Sequence, residues 1–402
     1  MTIGAQAIQP RPKRVHQTLK SAICEATRLV TTTELDGTLR ALVLTGSLAR
    51  DEATFVRQAD TWKVLGDAEF FLILSEREWM PSAALIQRMN RRIEDALSQQ
   101  GIQCQIGVSA VGPGFLRNLQ PHILGFELRA CGEVVWGDTQ ILTLIPDFGP
   151  NDIPLEDGWR LLSNRMLELL EVSAQLDAET ESLPEEVYYR TTKLYLDMAT
   201  SFLLFRKAYE AGYQARARRL TLLAGSQSSE APFDLRTFAN LVDACTDFKM
   251  QSATPDSTGP ENVLSFWREA LESAHQLWRW ELQRLTGADS GLADRDLLER
   301  WMDRQTIRTS LGGWLRLAYK LGWRGSLAQL PRWVSHGWRS SPRYLVYAAA
   351  SELFFRLPSL LSSDLAVPAW LPVSSQSSSK GWRDTLRAIA SNYHEFLEQS
   401  RA

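Results

Sequence analysis

Two short motifs near the start of the chain carry residue types that bind a phosphate and a divalent cation. Gly46-Ser47 follows the apolar run at 42–44, and Asp67 and Glu69 lead into the apolar run at 70–74. A glycine lets an oxyanion approach the backbone, where N–H groups and a serine hydroxyl can hold its oxygens. Residues i and i+2 of a strand share a face, so Asp67 and Glu69 are presented side by side. Mg²⁺ would relieve their repulsion, because it prefers oxygen ligands and commonly takes carboxylates together with substrate phosphates.

These motifs need a sheet to hold them, and the first third of the chain contains its components. Apolar residues at helical spacing predict two helices, at 16–35 and 82–99. Apolar runs and alternating patterns predict strands. In chain order these are 42–44, a strand that begins with Asp67, 102–111, and a pair at 125–130 and 133–136.

After Pro150 the strand patterns stop and long amphipathic patterns follow, at 155–176, 184–213, 233–250 and 260–285. A polar linker is expected at 373–380, before a final short helix. The sequence therefore predicts an α+β protein with an N-terminal mixed β-sheet domain and flanking helices over 15–148. An all-α domain over 151–286 and a helical, Trp- and Arg-rich region over 287–402 are expected to follow.

Composition and missing motifs narrow the class of protein. The 402 residues carry a net charge of −3, so no global field attracts the chain to nucleic acid or membrane. GxxxxGK[ST], GxGxxG and GxSxG motifs are absent, which disfavours P-loop kinases, Rossmann dehydrogenases and α/β-hydrolases. Four cysteines without a CxxC pair predict reduced thiols in a cytoplasmic protein. No stretch has the length and apolar character of a signal peptide or a membrane span.

The first motif and its surroundings resemble the nucleotidyltransferase (polymerase-β-like) superfamily, in particular bacterial single-chain members. Those members often carry a Gly-Ser-x-Ala-Arg-x-Glu-x-Thr segment after a strand, and then a strand with an acidic-x-acidic pair. The matching residues here are Gly46, Ser47, Ala49, Arg50, Glu52, Thr54, Asp67 and Glu69. Segments 132–138 and 161–165 are similar to a strand and a helix that follow in such proteins. The resemblance covers roughly residues 15–220.

The resemblance implies Mg²⁺-dependent transfer of a nucleoside monophosphate from an NTP, such as ATP, to an acceptor hydroxyl. Gly46, Ser47 and Arg50 would bind the nucleotide, and Asp67 and Glu69 would be catalytic and ligate Mg²⁺. The metal would then stabilise charge on the leaving pyrophosphate. Neither the acceptor nor the preferred nucleotide can be inferred from a shared fold.

The family normally places a third carboxylate on the next central strand, and here that strand has none. Gln105 is the best match for the position, and its amide cannot act as a base or neutralise a second cation. Three alternatives stay open. The enzyme works with one metal, or Glu127 supplies the charge from a neighbouring strand, or the protein is a catalytically degenerate nucleotide-binding or scaffold protein.

Other polar residues have equally plain structural interpretations. Arg50 and Glu52 could form a solvated ion pair instead of a substrate contact. Lys193 and Asp197 are four residues apart on a helix and are expected to form a surface or interhelix pair. Asn164-Arg165 could line a cleft between domains, where ligands commonly bind.

Residues 304–350 form a basic segment with no acidic residue. Its basic residues are Arg304, Arg308, Arg316, Lys320, Arg324, Arg332, Arg339 and Arg343, interleaved with Trp314, Trp323, Trp333 and Trp338. Such a segment suits an anionic partner, either RNA or a membrane surface on which 311–334 would lie. Glycines and Pro331 argue against one continuous helix there. Alternatively, the tryptophans pack between helices and the arginines cover them.

Overall fold

The computed structural model of the chain describes residues 13–58, 60–176, 183–226, 230–251, 263–337, 340–360, 371 and 381–396. Within them the fold is α+β, with a five-stranded sheet in the N-terminal part and helices after it, as predicted. The first elements are α1 (Lys13–Glu34), β1 (Leu39–Thr45), the short helical turn α2 (Gly46–Ala49), β2 (Thr54–Gln58), β3 (Thr61–Leu74), α3 (Ala83–Ser98), β4 (Ile102–Val111), α4 (Pro113–Arg117), α5 (Ile123–Cys131) and β5 (Glu133–Gly137).

Strand β3 is the centre of a mixed sheet. Strand β2 runs antiparallel to its first half, with Thr54 opposite Leu65, and β1 runs antiparallel to its second half, with Thr45 opposite Glu69. Strand β4 pairs in parallel with the other edge of β3, and β5 extends the sheet beyond β1. The segment from 46 to 53, which joins β1 to β2, therefore lies next to the middle of β3, where Asp67 is found.

The two faces of β3 have different neighbours. Phe70 lies in a core shared with α1 and α3, whereas Phe71 and Ile73 pack on the opposite face with residues of α4 and α5. Because side chains alternate along a strand, Asp67 and Glu69 share the face of Phe71. The acid pair thus continues this face beyond its apolar core.

The prediction that the second strand begins with Asp67 is wrong, because β3 already begins at Thr61. Its first residues form a hairpin with β2. Gly66 has a φ of 104°, and the register with β4 shifts between Lys63 and Asp67. In a sequence, a glycine beside a charged residue resembles the end of a loop, but here it is an irregularity inside one continuous strand.

The strand predicted at 125–130 is also wrong, since these residues belong to helix α5. The helix begins after His122, whose Nδ1 accepts a hydrogen bond of 2.7 Å from the N–H of Gly125. Leu128 packs into the core under the sheet, whereas Phe126 packs toward Leu204 and Tyr209 of the helical part. Apolar side chains on two sides of a short helix imitate the alternation of a strand. The strand predicted at 133–136 is confirmed as β5.

The remaining elements are helical apart from short turns. They are α6 (Leu155–Val172), α7 (Glu185–Phe205), α8 (Tyr213–Gly225), α9 (Leu235–Gln251), α10 (Val263–Thr286), α11 (Asp294–Asp303), α12 (Ile307–Gly337), α13 (Pro342–Phe354), α14 (Leu357–Leu360) and α15 (Trp382–Phe396). Buried residues from both predicted helical regions form a single apolar cluster that contains Trp159, Trp267 and Trp382. The packing in this cluster holds the helices that face the sheet in their positions.

The helical patterns predicted at 155–176, 233–250 and 260–285 and the final short helix are confirmed within a few residues. The pattern at 184–213 is instead two helices, α7 and α8. Lys207 and Gly212 between them have positive φ angles of 52° and 87°, which end one helix before the next begins. The polar linker predicted at 373–380 lies outside the described residues.

Helix α12 is interrupted at Gly322, which has a φ of 67° and a ψ of 177°. The expectation that 311–334 is not one continuous helix is therefore confirmed. None of the helices that the structure describes is both long and apolar enough to cross a bilayer. All four cysteines are free thiols.

Candidate functional site

The acidic side chains of β3 point to the same side of the sheet and lie close together. Gly107 of β4 is the register partner of Glu69. A Cβ atom placed on Gly107 would lie 3.8 Å from Oδ2 of Asp67 and 3.9 Å from Cγ of Glu69. Both acids therefore border the same small residue on one side of the sheet.

The Gly46-Ser47 turn is in direct contact with this acid pair. Gly46 has a φ of 70°, and a Cβ atom there would come within 2.8 Å of Oε2 of Glu69. A side chain at this position would strain the backbone and would also force the Glu69 carboxylate to move. The sequence prediction placed a small-residue bend beside two carboxylates, and the structure brings these residues together.

Lys20 of α1 anchors the segment that follows the turn. Its buried ammonium group donates hydrogen bonds to Asp51 at 2.8 Å, to Glu133 at 2.6 Å and to the carbonyl oxygen of Ala49 at 3.4 Å. Burial alone would lower the pKa of Lys20, but its bonds to Asp51 and Glu133 raise it, so the lysine stays charged. One side chain thereby connects the Gly46-Ser47 turn to α1 and β5.

Gln105 of β4 is the register partner of Asp67 and is exposed on the same side of the sheet. Among the residues that the structure describes, no three His, Cys, Asp or Glu side chains form a group that could hold a metal ion. The position beside Asp67 therefore carries an amide oxygen, which can contact a cation but brings no charge.

Arg50 does not form the solvated pair considered from the sequence. Its guanidinium is buried and donates to Glu52 at 2.8 Å and to Glu127 at 2.7 Å. Glu127 also accepts hydrogen bonds from Arg216 and, at 2.8 Å, from the hydroxyl of Tyr209. The Arg50 side chain thus ties the segment after the turn to α5 and α8.

Glu127 lies on helix α5 and not on a strand beside β4, so the predicted placement of this residue is wrong. Burial would raise the pKa of Glu127, but the adjacent Arg216 and Arg50 outweigh it and hold that pKa below its usual range. The carboxylate is therefore charged, and two buried arginines already neutralise it. Removing it would leave those arginines without a partner, which is strongly unfavourable in a buried network.

A cavity of about 680 Å³ separates the acid pair from the helical part of the chain. Its sheet side includes the Gly46-Ser47 turn, the acid pair and Gln105. Its helical side is built from residues of α6, α7, α8, α9 and α15, and it carries charges of both signs. The basic residues include Arg165, Lys193 and Lys249, and the acidic ones are Glu168, Glu171, Glu185 and Glu186. Ligands commonly bind in such concave spaces between two packed units.

Two lysines on the helical side flank the aromatic ring of Tyr189. Nζ of Lys249 donates a hydrogen bond of 2.9 Å to the Tyr189 hydroxyl, and Nζ of Lys193 lies 5.8 Å from the centre of the ring. The Tyr189 hydroxyl in turn donates to the carbonyl oxygen of Leu65 in β3, at 2.7 Å. Across the described parts of the chain, neither lysine forms an ion pair with a carboxylate.

Burial and nearby positive charges make both ammonium groups easier to deprotonate. Burial, followed by the charges of Arg165 and Arg50, lowers the pKa of Lys249 to about 7. Burial, followed by Arg165, also lowers the pKa of Lys193. An anion bound beside these lysines would favour the charged form of both, because it would add negative charge next to the ammonium groups.

The expected pair of Lys193 with Asp197 is not formed. Asp197 instead accepts a hydrogen bond of 2.6 Å from Nε of Arg165 on the neighbouring helix, which leaves Lys193 facing the cavity. Of the predicted pair Asn164-Arg165, only Arg165 lines the cavity. Asn164 instead accepts a hydrogen bond of 2.7 Å from the Tyr347 hydroxyl of α13.

Sequence reasoning missed Lys249, although a sequence signal for it exists. Leu235, Phe238, Val242 and Cys245 form the buried stripe of α9, and Lys249 continues that stripe at helical spacing. A lysine on the apolar side of an amphipathic helix is buried only when a polar neighbour or ligand receives it. The same helix reaches the sheet, because the Thr54 hydroxyl donates to the carbonyl oxygen of Lys249 at 2.8 Å.

The cavity therefore combines two complementary kinds of group. The sheet side presents the carboxylates of Asp67 and Glu69, and the helical side presents the ammonium groups of Lys193 and Lys249 among several glutamates. A nucleoside triphosphate complexed with a divalent cation would suit both kinds of group, because it combines a cation with an anionic phosphate chain.

Comparison with known proteins gave no relative: no protein-family model, no curated protein and no solved structure significantly matches the chain.

Proposed function

We propose that the chain is a Mg²⁺-dependent nucleotidyltransferase that moves a nucleoside monophosphate from an NTP to an acceptor hydroxyl. The observation that carries this proposal is the convergence of Asp67, Glu69 and the Gly46-Ser47 turn on a cavity whose far wall contains Lys193 and Lys249. The motif resemblance to the nucleotidyltransferase superfamily supports the same chemistry.

The donor set fits a magnesium ion. Asp67 and Glu69 supply carboxylate oxygens from adjacent positions on one side of a strand, and Gln105 offers an amide oxygen beside Asp67. Mg²⁺ is commonly held by one or two carboxylates, with phosphate and water oxygens completing its octahedron. Asp67 and Glu69 would hold the ion, which when bound supplies charge stabilisation for the triphosphate and the leaving pyrophosphate.

The residues of the chain position the triphosphate from two sides. The absence of a side chain at Gly46 keeps the backbone beside Glu69 accessible, and the hydroxyl of Ser47 is available at the same turn to a phosphate oxygen. Lys193 and Lys249 neutralise phosphate charge from the opposite wall. Arg50 acts indirectly, since its pairs with Glu52 and Glu127 hold the segment after the turn in place.

The proposal is tested by incubating the chain with labelled NTPs, Mg²⁺ and a panel of hydroxyl-bearing acceptors. Pyrophosphate release is expected, and Asp67→Asn and Glu69→Gln should each lower it by about a hundredfold or more, because each removes a metal ligand without changing side-chain volume. Glu78→Gln, at an exposed position outside the cavity, is the matched control. Release at an equal rate from all four proteins would contradict the site.

A second candidate is a nucleotide-binding protein that does not turn the nucleotide over. Gln105 favours it, since a neutral residue occupies the register position beside Asp67. Calorimetry that detects Mg²⁺-dependent NTP binding without pyrophosphate release would support this candidate. Pyrophosphate release that is lost in Asp67→Asn would exclude this second candidate.

A further inference from the structure

Helix α12 folds back on itself as a hairpin, which we call the α12 hairpin (Ile307–Gly337). The rings of Trp314 and Trp333, one on each arm, lie with their centres 5.5 Å apart. In a continuous helix these two positions would be about 28 Å apart, at 1.5 Å per residue. The reversal occurs at Gly322, and the hydroxyl of Ser326 donates to the carbonyl oxygen of Ala318 across it, at 3.0 Å.

One side of the α12 hairpin is attached to the body of the protein. Leu317 is fully buried and Trp333 nearly so. Nε1 of Trp314 donates to the carbonyl oxygen of Ser340 at 3.1 Å, and Gly313 packs against Pro342 at the start of α13. The orientation of the hairpin is thus fixed, which also determines the side that faces outward.

The outward side carries a concentration of large apolar residues. On the first arm they recur every four residues and therefore follow one side of the helix. They are Ile307, Leu311, Leu315 and Tyr319 on the first arm and Leu327, Leu330 and Val334 on the second, and all are exposed. Single exposed apolar residues are ordinary, but a contiguous group on one element marks an interaction surface.

The α12 hairpin also carries exposed positive charge. Arg308, Arg316 and Arg324 are exposed, and no acidic residue occurs anywhere between 304 and 350. No ion pair found within the described residues involves these three arginines. Their charge is therefore available to an anionic partner.

We infer that the outer side of the α12 hairpin binds the surface of an anionic lipid bilayer. Aliphatic side chains would enter the boundary between headgroups and acyl chains, and the arginines would contact lipid phosphates, as in interfacial amphipathic helices. RNA is the other polyanion with matching charge, but proteins hold its bases mainly by stacking on aromatic rings. Of the seven exposed apolar side chains that the structure describes on the hairpin, six are aliphatic, which favours lipid. This inference does not depend on the proposed nucleotidyltransferase activity.

The inference is tested by co-sedimentation of the full chain with two kinds of vesicle. Vesicles of phosphatidylcholine mixed with phosphatidylglycerol should bind the protein, vesicles of phosphatidylcholine alone should bind it at least about tenfold less, and binding should weaken as salt is raised. The double variant Leu311→Asp/Leu315→Asp should lose binding to anionic vesicles. Leu222→Asp, at an exposed leucine of α8, is the matched control and should bind like the unchanged protein.

A second variant separates charge from apolar contact. Arg308→Gln/Arg316→Gln/Arg324→Gln should reduce vesicle binding by about tenfold or more and weaken its salt dependence. Thermal unfolding of each variant should match that of the unchanged protein, because every substituted side chain is exposed. The inference is overturned if neither vesicle binds, if the double aspartate variant binds undiminished, or if polyuridylate RNA binds while anionic vesicles do not.

Discussion

Asp67 of β3 and Gln105 of β4 are register partners on adjacent parallel strands, and both line the same cavity. The acid pair of β3 thus has a neutral neighbour at the position where a third carboxylate would complete a stronger cation site. The Glu127 carboxylate does not supply a third negative charge there, because it is held by Arg50 and Arg216.

Gln105→Asp is expected to strengthen the site. A third carboxylate beside Asp67 should raise Mg²⁺ affinity by about tenfold or more, because affinity for hard cations rises with ligand charge. Titration of NTP binding or turnover with Mg²⁺ measures the change. Gln103→Asp, which also lines the cavity but is in register with Lys63, should have little effect. Equal gains from both variants would show that a general negative potential, and not a ligand beside Asp67, is responsible.

Gly46→Ala is expected to disable the turn. Its Cβ would meet Oε2 of Glu69 at 2.8 Å, and the left-handed backbone conformation adds roughly 1–2 kcal/mol of strain for any non-glycine residue. NTP binding measured by calorimetry should be lost. Gly37→Ala is the control for backbone strain, because Gly37 has a similar φ of 73° but no atom within 4 Å of an added Cβ. Only Gly46→Ala combines this strain with the contact to Glu69. If both variants bind NTP normally, the contact between Gly46 and Glu69 has no role in the site.

Lys249→Met is expected to weaken NTP binding without unfolding the protein. The methionine fills the buried volume, while a charge-assisted contact to phosphate, typically worth about 1.5–3 kcal/mol, is lost. Dissociation constants measured at or below pH 7, where Lys249 is at least half protonated, should rise by about tenfold to a hundredfold. Lys207→Met, at an exposed lysine outside the cavity, should leave them unchanged. An unaltered dissociation constant for Lys249→Met would remove this lysine from the site.

Glu281→Gln is expected to stabilise the fold at neutral and alkaline pH. Glu281 is fully buried in the helical core, where Ser201 donates to Oε1, and burial raises its pKa from 4.5 to about 8. The folded state therefore keeps a proton that the unfolded state releases above pH 4.5, so stability falls as pH rises toward 8. At pH 7 the buried glutamate lowers the free energy of unfolding by up to about 3 kcal/mol, because each pH unit above 4.5 contributes about 1.4 kcal/mol.

Denaturant unfolding of Glu281→Gln should therefore show a gain in free energy that grows from about pH 5 to pH 8. Glu272→Gln, at an exposed position of the same helix, is the control and should show no such trend. If the free energies of unfolding of Glu281→Gln and the unchanged protein differ by the same amount at every pH in this range, Glu281 is not protonated in the folded protein.

Local patterns were sufficient to predict the core of the site. The spacing of Asp67 and Glu69 on a strand determines that their side chains share a face, and the glycine at 46 needs no distant neighbour to form its turn. The same local signals predicted the major helices of the helical part. These features depend on residues close in sequence, which is why a single sequence is enough to infer them.

Features that depend on contacts far apart in sequence could not be predicted. The pattern around Glu127 predicts a strand, but the residues form a helix whose Phe126 and Leu128 pack in different directions, one toward the helical part and the other under the sheet. The spacing of Lys193 and Asp197 predicts an ion pair, but Arg165 of the adjacent helix donates to that carboxylate instead. Lys249 reaches the cavity because α9 contacts β2, a contact that no local pattern encodes.

The most direct test of the central claim is a crystal structure of the chain with Mg²⁺ and a non-hydrolysable NTP. The account predicts an ion bound by the carboxylates of Asp67 and Glu69, with the triphosphate between the Gly46-Ser47 turn and the ammonium groups of Lys193 and Lys249. A nucleotide bound outside this cavity, or bound within it while Asp67 and Glu69 contact no ion, would contradict it.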